Sequence, residues 1–469
     1  MRRISSFCSL STLLIINVWC KKSTSPPQAP PSSDKAITGF EFRATDNPGV
    51  LNADVAGIIR NDSILISLPA SALVTALAPY IIYTGKTITP ASGVQQNFSS
   101  PLTYTVTAAD GSQKSYIVLI SFKSVLYISD ATGELVCLDA NTGRVSWKYQ
   151  STTHLSCPTV GNGLVFATGW DGLYAVNAVD GTLAWKISLT ELPNPYSLLL
   201  PYPVYPIPIF SNGILYGSFV DGTVRAINPK DGSVRWSFTT NYPFASGPTL
   251  YHSSIYVGSV DGYLYSIDSA NGKLNWKFKG SGAPIVDNPL ATNNLIYFGS
   301  QNSYIYAVQA QNGQMAWESS GDFYTASPSE SNGLVYSQFG NVIFAFDAGT
   351  GTVDWVANHN TSEIYNSISS VYIANGRSFF GSFDGNVYAD DAATGAPVWS
   401  YYLGGSFVAS PVVANGRVFI GNDAGYTVAL NANDGSNIWT TVINGIATSV
   451  CLVDSTRTVY HAPESGELN

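Results

Sequence analysis

The sequence predicts an all-β protein: a small β-sandwich, then an eight-bladed β-propeller with four antiparallel strands per blade, closed by a C-terminal strand. Three observations predict it. Tryptophan recurs eight times beyond residue 140 on a nearly fixed step, each time four residues after a glycine. Asn-Gly, Asp-Gly and Thr-Gly pairs punctuate the chain at spacings that suit short strands. Finally, charged residues make up only 11% of 469, aromatics reach 13%, and there are 42 glycines, a composition of pleated strands and tight turns.

The first element is an address. Arg2-Arg3 precede an apolar stretch from Ile4 to Trp19, which ends at Cys20 and Lys21-Lys22. A short basic start and a short apolar run read as a signal peptide over residues 1–20. Ending at a cysteine, it resembles a bacterial lipoprotein signal, although Trp19 stands where that family has a small residue. The resemblance implies lipid attachment at Cys20 and a place in the cell envelope as an outer membrane lipoprotein. Residues 21–33, "KKSTSPPQAPPSS", are rich in Pro and Ser and read as an extended tether.

Residues 34–122 carry short β-type runs such as "ITGFEFRA", "SILISLP" and "SYIVLISF", separated by "TDNPG", "PASG" and "ADGS". Several short strands with such turns predict a β-sandwich. The stretch "ITPASGVQQNFSSPLTYTVTAADGSQKSYIVLI" resembles the Ig-like N-terminal domains of Bacteroidota lipoproteins. Only "FKS" separates its last strand from the first strand of the repeat region, so the two parts are expected to sit rigidly together.

Residues 123–469 hold the repeat. Its markers are Trp147, Trp185, Trp236, Trp276, Trp317, Trp355, Trp399 and Trp439, with steps near 40 residues apart from one of 51. A period near 40 built from short strands means a propeller. A polar residue such as Asp139, Asp268 or Asp347 stands four positions before each marker glycine, placed to bond nearby backbone. The Asn, Asp or Thr just before that glycine is expected to share its positive-φ turn. Each tryptophan is expected to fill the wedge between neighbouring blades. The first repeat lacks its opening strand, and "ATSVCLVDSTRTVYHAP" is left over at the end. Residues 447–454 are therefore expected to supply the innermost strand of blade one; whether "TVYH" also joins is open. The spelling G-S-x-D-G-x-aromatic-A-hydrophobic-D-x-x-T-G-x-x-x-W resembles the quinoprotein, or PQQ-like, propeller repeat over about 330 residues.

That resemblance implies two kinds of function. Quinoprotein dehydrogenases hold pyrroloquinoline quinone and Ca²⁺ at the propeller axis, typically with a disulfide between adjacent cysteines; this chain has no adjacent Cys pair. Non-catalytic, lipid-anchored binding propellers of the BamB type are the other kind, and eight compact blades on a tether resemble these more closely. The net charge of −9, with no Lys/Arg cluster beyond residue 22, excludes a nucleic-acid partner. Cys137, Cys157 and Cys451 read as buried thiols. His154, His252, His359 and His461 fall in turns or the tail and read as solvated. Asp390-Asp391 looks like paired carboxylates, but Asp391 is the repeat's turn residue. No catalytic residue, metal ligand or cofactor is expected.

One segment breaks period: "LTELPNPYSLLLPYPVYPIPIF", residues 189–210, stiff with proline and carrying Tyr196, Tyr202 and Tyr205. Blade-to-blade loops on the same rim hold Tyr242, Phe244, Phe323, Tyr324, Tyr365 and Phe407. These nine aromatics are the candidate partner surface. The expected function is an exported, lipid-anchored, monomeric scaffold that binds an envelope protein or glycan through a propeller face. The alternatives are a divergent PQQ-dependent dehydrogenase and a polysaccharide-binding surface lipoprotein.

Overall fold

Three turns per repeat fold the chain into four-stranded antiparallel sheets, and the turn residues explain each reversal. A computed structural model describes residues 29–189, 206–320, 326–339, 342–359, 369–407, 409–443, 445 and 447–461. In blade two, Asn162 and Gly163 both take positive φ, 51° and 75°, which is the type I′ geometry that a two-residue hairpin needs. In blade four, Asp261 accepts the Tyr263 amide at 3.0 Å and so holds the Asp-Gly turn. The turn before each tryptophan is built differently from the expectation. Only its glycine has positive φ; the preceding Thr142, Asp180 or Asn271 does not. In blade four the earlier acid fixes the turn instead: Asp268 accepts the amides of Ala270 and Asn271 at 2.9 and 3.1 Å. A register shift between Ser266 and Ile267 marks the bulge that absorbs the extra residue.

Seven four-stranded sheets and one five-stranded sheet follow one another in the repeat region among the described residues. Blade one is built on Val125–Asp130, Glu134–Asp139 and Val145–Gln150; blades two to eight span 159–188, 209–239, 249–279, 290–320, 329–358, 372–402 and 412–442. Each marker tryptophan lies against the marker glycine of the next blade. A Cβ on Gly313 would stand 2.5 Å from the Trp276 ring, and one on Gly143 would stand 2.6 Å from the Trp439 ring. The glycine is thus required twice, for its φ and for the ring that occupies the place of a side chain. Seven of the eight indoles also donate to a carbonyl of the next blade, as in Trp317 to Ala348 at 2.9 Å and Trp439 to Ala140 at 3.1 Å. Because Trp439 of blade eight reaches Gly143 and Ala140 of blade one, the series returns on itself.

The C-terminus completes that return. Strand Ala447–Val453 pairs antiparallel with Val125–Asp130, aligning Cys451 with Tyr127 and Leu452 with Leu126. It takes the position that the inner strand holds in the other blades, as expected. It is not innermost, however. Strand Val459–His461 folds back along its far edge, aligning Cys451 with His461, so blade one has five strands. The turn Asp454–Thr458 makes this possible, with Asp454 accepting the amides of Thr456 and Thr458.

The N-terminal part is a sandwich of a three-stranded and a five-stranded sheet. Its core is apolar and aromatic, with Phe42, Ile64, Leu68, Tyr104 and Val106 fully buried. In the larger sheet, Ser63–Pro69 runs parallel to Gln113–Lys123. That last strand passes through Ser124 into blade one, and Phe122 packs against the core beneath blades one and two.

Candidate functional site

The hairpin order gives every blade two ends. The Asn-Gly and pre-tryptophan turns lie at one end; the Asp-Gly turns and blade-to-blade loops lie at the other. The sandwich occupies the first end. Asn52 donates to the Val179 carbonyl at 2.9 Å, beside the Asp180-Gly181 turn of blade two. Leu73 sits over Gly163. Arg457, in the turn between the two C-terminal strands, donates from Nε to Ala70 O at 3.1 Å and from Nη2 to Ala72 O at 3.2 Å. Its guanidinium also lies 5.0 Å from the Phe122 ring centroid. The loop-bearing end is therefore the candidate interaction face.

Of the nine aromatics expected there, Tyr242 is 38% exposed. Phe244 and Phe407 correct the expectation: both are fully buried. Phe244 packs edge-on against Tyr265 at 5.7 Å, and Phe407 lies in the core between blades seven and eight, so both hold the blades together. Their spacing before Ser-Gly-Pro or Ser-Pro was the available signal, since repeat elements tend to pack. Tyr196, Tyr202, Tyr205, Phe323, Tyr324, Tyr365 and Cys20 lie outside the described residues.

The acids of this face are mostly committed to it. Asp261 and Asp384 each accept a tyrosine hydroxyl at 2.6 Å, from Tyr265 and Tyr388. Burial, and then the neighbouring acid, push those two phenols well above the usual range. Burial works against Asp171, yet hydrogen bonds from Lys186, Thr152 and Tyr174 outweigh it and hold that carboxyl below its ordinary value. Three acids differ. Asp130 caps its turn through Oδ1, while its buried Oδ2 has no partner. Asp287 stands where Ser246 and Ser369 accept strand amides in other blades, but makes no hydrogen bond among the described residues. Desolvation pushes its carboxyl up to about 7, although the residue keeps a sliver of accessible surface. Asp390, inside the blades, is the third.

Two histidines also correct the sequence reading. His359 Nε2 lies 2.7 Å from Asp390 Oδ2, its side chain 9% exposed and that of Asp390 fully buried. His461 is buried on the strand nearest the axis, with Nε2 3.0 Å from Thr159 Oγ1 and no partner at Nδ1. Burial drops its pKa to about 4. His154 and His252 are exposed, as expected. Cys137, Cys157 and Cys451 are buried thiols. Among the described residues no three His, Cys, Asp or Glu side chains are grouped to hold a metal ion.

Comparison with known proteins places this geometry. Residues 94–201, 220–343 and 338–467 match the family described as outer membrane protein assembly factor BamB. The chain belongs to that family. Residues 48–120 match a second family, the N-terminal domain of SGBP, surface glycan-binding proteins. BamB of Yersinia pestis is 23% identical over 175 residues, 34% of this chain and 42% of the relative. BamB of Moranella endobia is 23% identical over 125 residues, 24% of this chain and 29% of the relative. The matched region thus spans less than half the length of either curated relative. Among solved structures, BamB of Moraxella catarrhalis has a TM-score of 0.52 at 16% identity, covering 72% of this chain and 91% of the other. Quinohemoprotein alcohol dehydrogenase of Comamonas testosteroni has 0.54 at 14%, covering 72% of each chain. A europium-containing methanol dehydrogenase has 0.53 at 12%, covering 66% and 82%. At these identities the likeness is one of fold, and the family match separates BamB from the dehydrogenases.

Proposed function

We propose that this BamB-family chain is a non-catalytic scaffold of the cell envelope that holds a protein partner on its loop-bearing face. The observation that carries the reading is the strand Val459–His461. It adds a fifth strand to the inner edge of blade one, where every other described blade ends at its fourth, on the side where the resemblance to quinoprotein dehydrogenases would place an axial quinone. Among the described residues no acid cluster is grouped for a metal, and Asp261 and Asp384 are engaged by tyrosines of their own blades, which does not suit such a cofactor. The sandwich docks at the opposite end, and among the described residues it makes no contact with the loop-bearing face. With Cys20 lipidated and the tether leading into the sandwich, that face points away from the membrane.

The test is in-cell photocrosslinking from position 242 on the loop-bearing face and from position 183 on the outer rim. A discrete adduct from 242 alone supports the reading. Equal adducts from both positions, or dye-linked oxidation of alcohols after addition of PQQ and Ca²⁺, would overturn it. A Cys20→Ala chain should leave the membrane fraction; its retention there would remove the lipid anchor from the proposal.

The SGBP match of the sandwich favours a second reading, in which the partner is a glycan. Titration of the intrinsic Trp and Tyr fluorescence with soluble polysaccharides tests it, and an unchanged spectrum counts against it.

A further inference from the structure

One interface between blades departs from the other seven. In each blade the second and third strands meet in a buried cross-strand pair near the pre-tryptophan turn. That pair is apolar in seven blades, as in Val165–Val176, Ile255–Ile267 and Val418–Leu430. In blade seven it is Ser378–Asp390, both fully buried on the side that faces blade six. Asp390 Oδ2 is taken by His359, which lies just beyond the last strand of blade six, but Asp390 Oδ1 and Ser378 Oγ have no partner. Trp355 of blade six packs against Gly395 but is the one marker indole that makes no hydrogen bond to the next blade, its Nε1 being buried without a partner. The equivalent carbonyl, Ala392 O, accepts the Tyr336 hydroxyl at 2.9 Å, whereas Ala348 O of blade six accepts both Tyr297 and Trp317. Ala392 is only two residues beyond Asp390.

A Ser, a His and an Asp side by side invite a nucleophilic reading, but the arrangement does not support it. Ser378 Oγ bonds to no base, and it lies fully buried. What the three atoms have in common is an unmet need. One is an acceptor, one a donor, and the hydroxyl can be either. Left dry, each would bear the full desolvation penalty of an unmet polar group. Buried polar groups that lack a protein partner are met by water when two to four of them converge.

We propose that the seam between blades six and seven encloses an ordered water molecule that accepts from Trp355 Nε1, donates to Asp390 Oδ1 and bonds to Ser378 Oγ. The other seams are sealed by apolar pairs at this depth; this one is sealed by a water-bridged polar cluster, pinned from blade six by His359.

The test counts long-lived internal waters by ¹⁷O relaxation dispersion in the full chain. Three variants are compared: Ser378→Val with Asp390→Leu, which restores the apolar pair of the other blades; Asp390→Asn, which keeps the bonding groups; and Ser378→Ala. The double variant should lose one long-lived water, and Asp390→Asn should keep it. If the double variant does not fold, a crystal structure of Ser378→Ala beside the parent decides. Density bonded to Asp390 Oδ1 and Trp355 Nε1 supports the proposal. An unchanged count in a folded double variant, a dry seam with the three atoms bonded to one another, or an anomalous peak there after a rubidium soak would overturn it.

Discussion

Asp287 carries its carboxyl to about 7 with no partner to charge against, and His461 carries its imidazole down to about 4 for the same reason, desolvation. The consequences for stability have opposite signs. The folded pKa of Asp287 lies above the unfolded value, so its contribution is fully present below about pH 4 and is lost as pH rises toward 7. We expect Asp287→Ser, the residue of the equivalent position in other blades, to raise the melting temperature at pH 8 and to converge on the parent near pH 4. A parent curve with no such divergence would refute the buried acid. The folded pKa of His461 lies below the unfolded value, so its contribution is present above about pH 6.5 and is lost as pH falls toward 4, by roughly 2–3 kcal/mol. His461→Gln, which can still bond Thr159, should flatten that acid limb in denaturation followed by circular dichroism. Neither residue announces itself in the sequence. His461 and His359 sit in turn-like or terminal contexts, and their partners Thr159 and Asp390 are 302 and 31 residues away. Local spelling cannot carry such pairings. It did carry Asp139, Asp268 and Asp347, because those acids bond backbone within three residues.

At the scale of strands and turns, the tryptophan–glycine rhythm was readable because both residues are fixed by one contact repeated around the ring. Trp317→Ala should cost about 3–5 kcal/mol, since it empties a filled wedge against Gly351 and removes the bond to Ala348. Urea denaturation would measure it. The turn before each tryptophan is expected to have two positive-φ residues and has one; where Asp139, Asp268, Asp347 or Asp391 precedes it, an acid cap on the backbone amides does the work of the second. The C-terminal hairpin was half legible. An orphan strand at the end of an incomplete first blade points to closure, but nothing in "TVYH" says that it turns back inside the closing strand. Arg457 in that hairpin ties ring and sandwich together. Arg457→Ala should leave the blades intact while speeding hydrogen exchange at the Ala70 to Ala72 segment and in the sandwich strands; unchanged exchange there would mean that Asn52 and Phe122 suffice.

For the molecule as a whole, two folded parts and their order could be read from composition and turn spacing, whereas their mutual placement could not. It depends on Asn52, Leu73 and Arg457, three surface residues with no pattern of their own. The candidate face is set by that placement, by exclusion of the covered end. The aromatic rim read from the sequence is mixed: Phe244 and Phe407 share one repeat position, five residues before the next blade's first strand, and face the core, whereas Tyr242 stands two residues earlier and faces solvent.

A ring whose first blade borrows a strand from residues 447–453 has a timetable. Blades two to eight each hold their own four strands and can form before closure, but the edge of Val125–Asp130 stays unpaired until Ala447–Val453 docks on it. For that interval the protein is an open arc with an exposed strand edge, the kind of surface on which chains join to one another. The docking of one seven-residue strand, Ala447–Val453, decides whether the arc becomes a monomer or an aggregate.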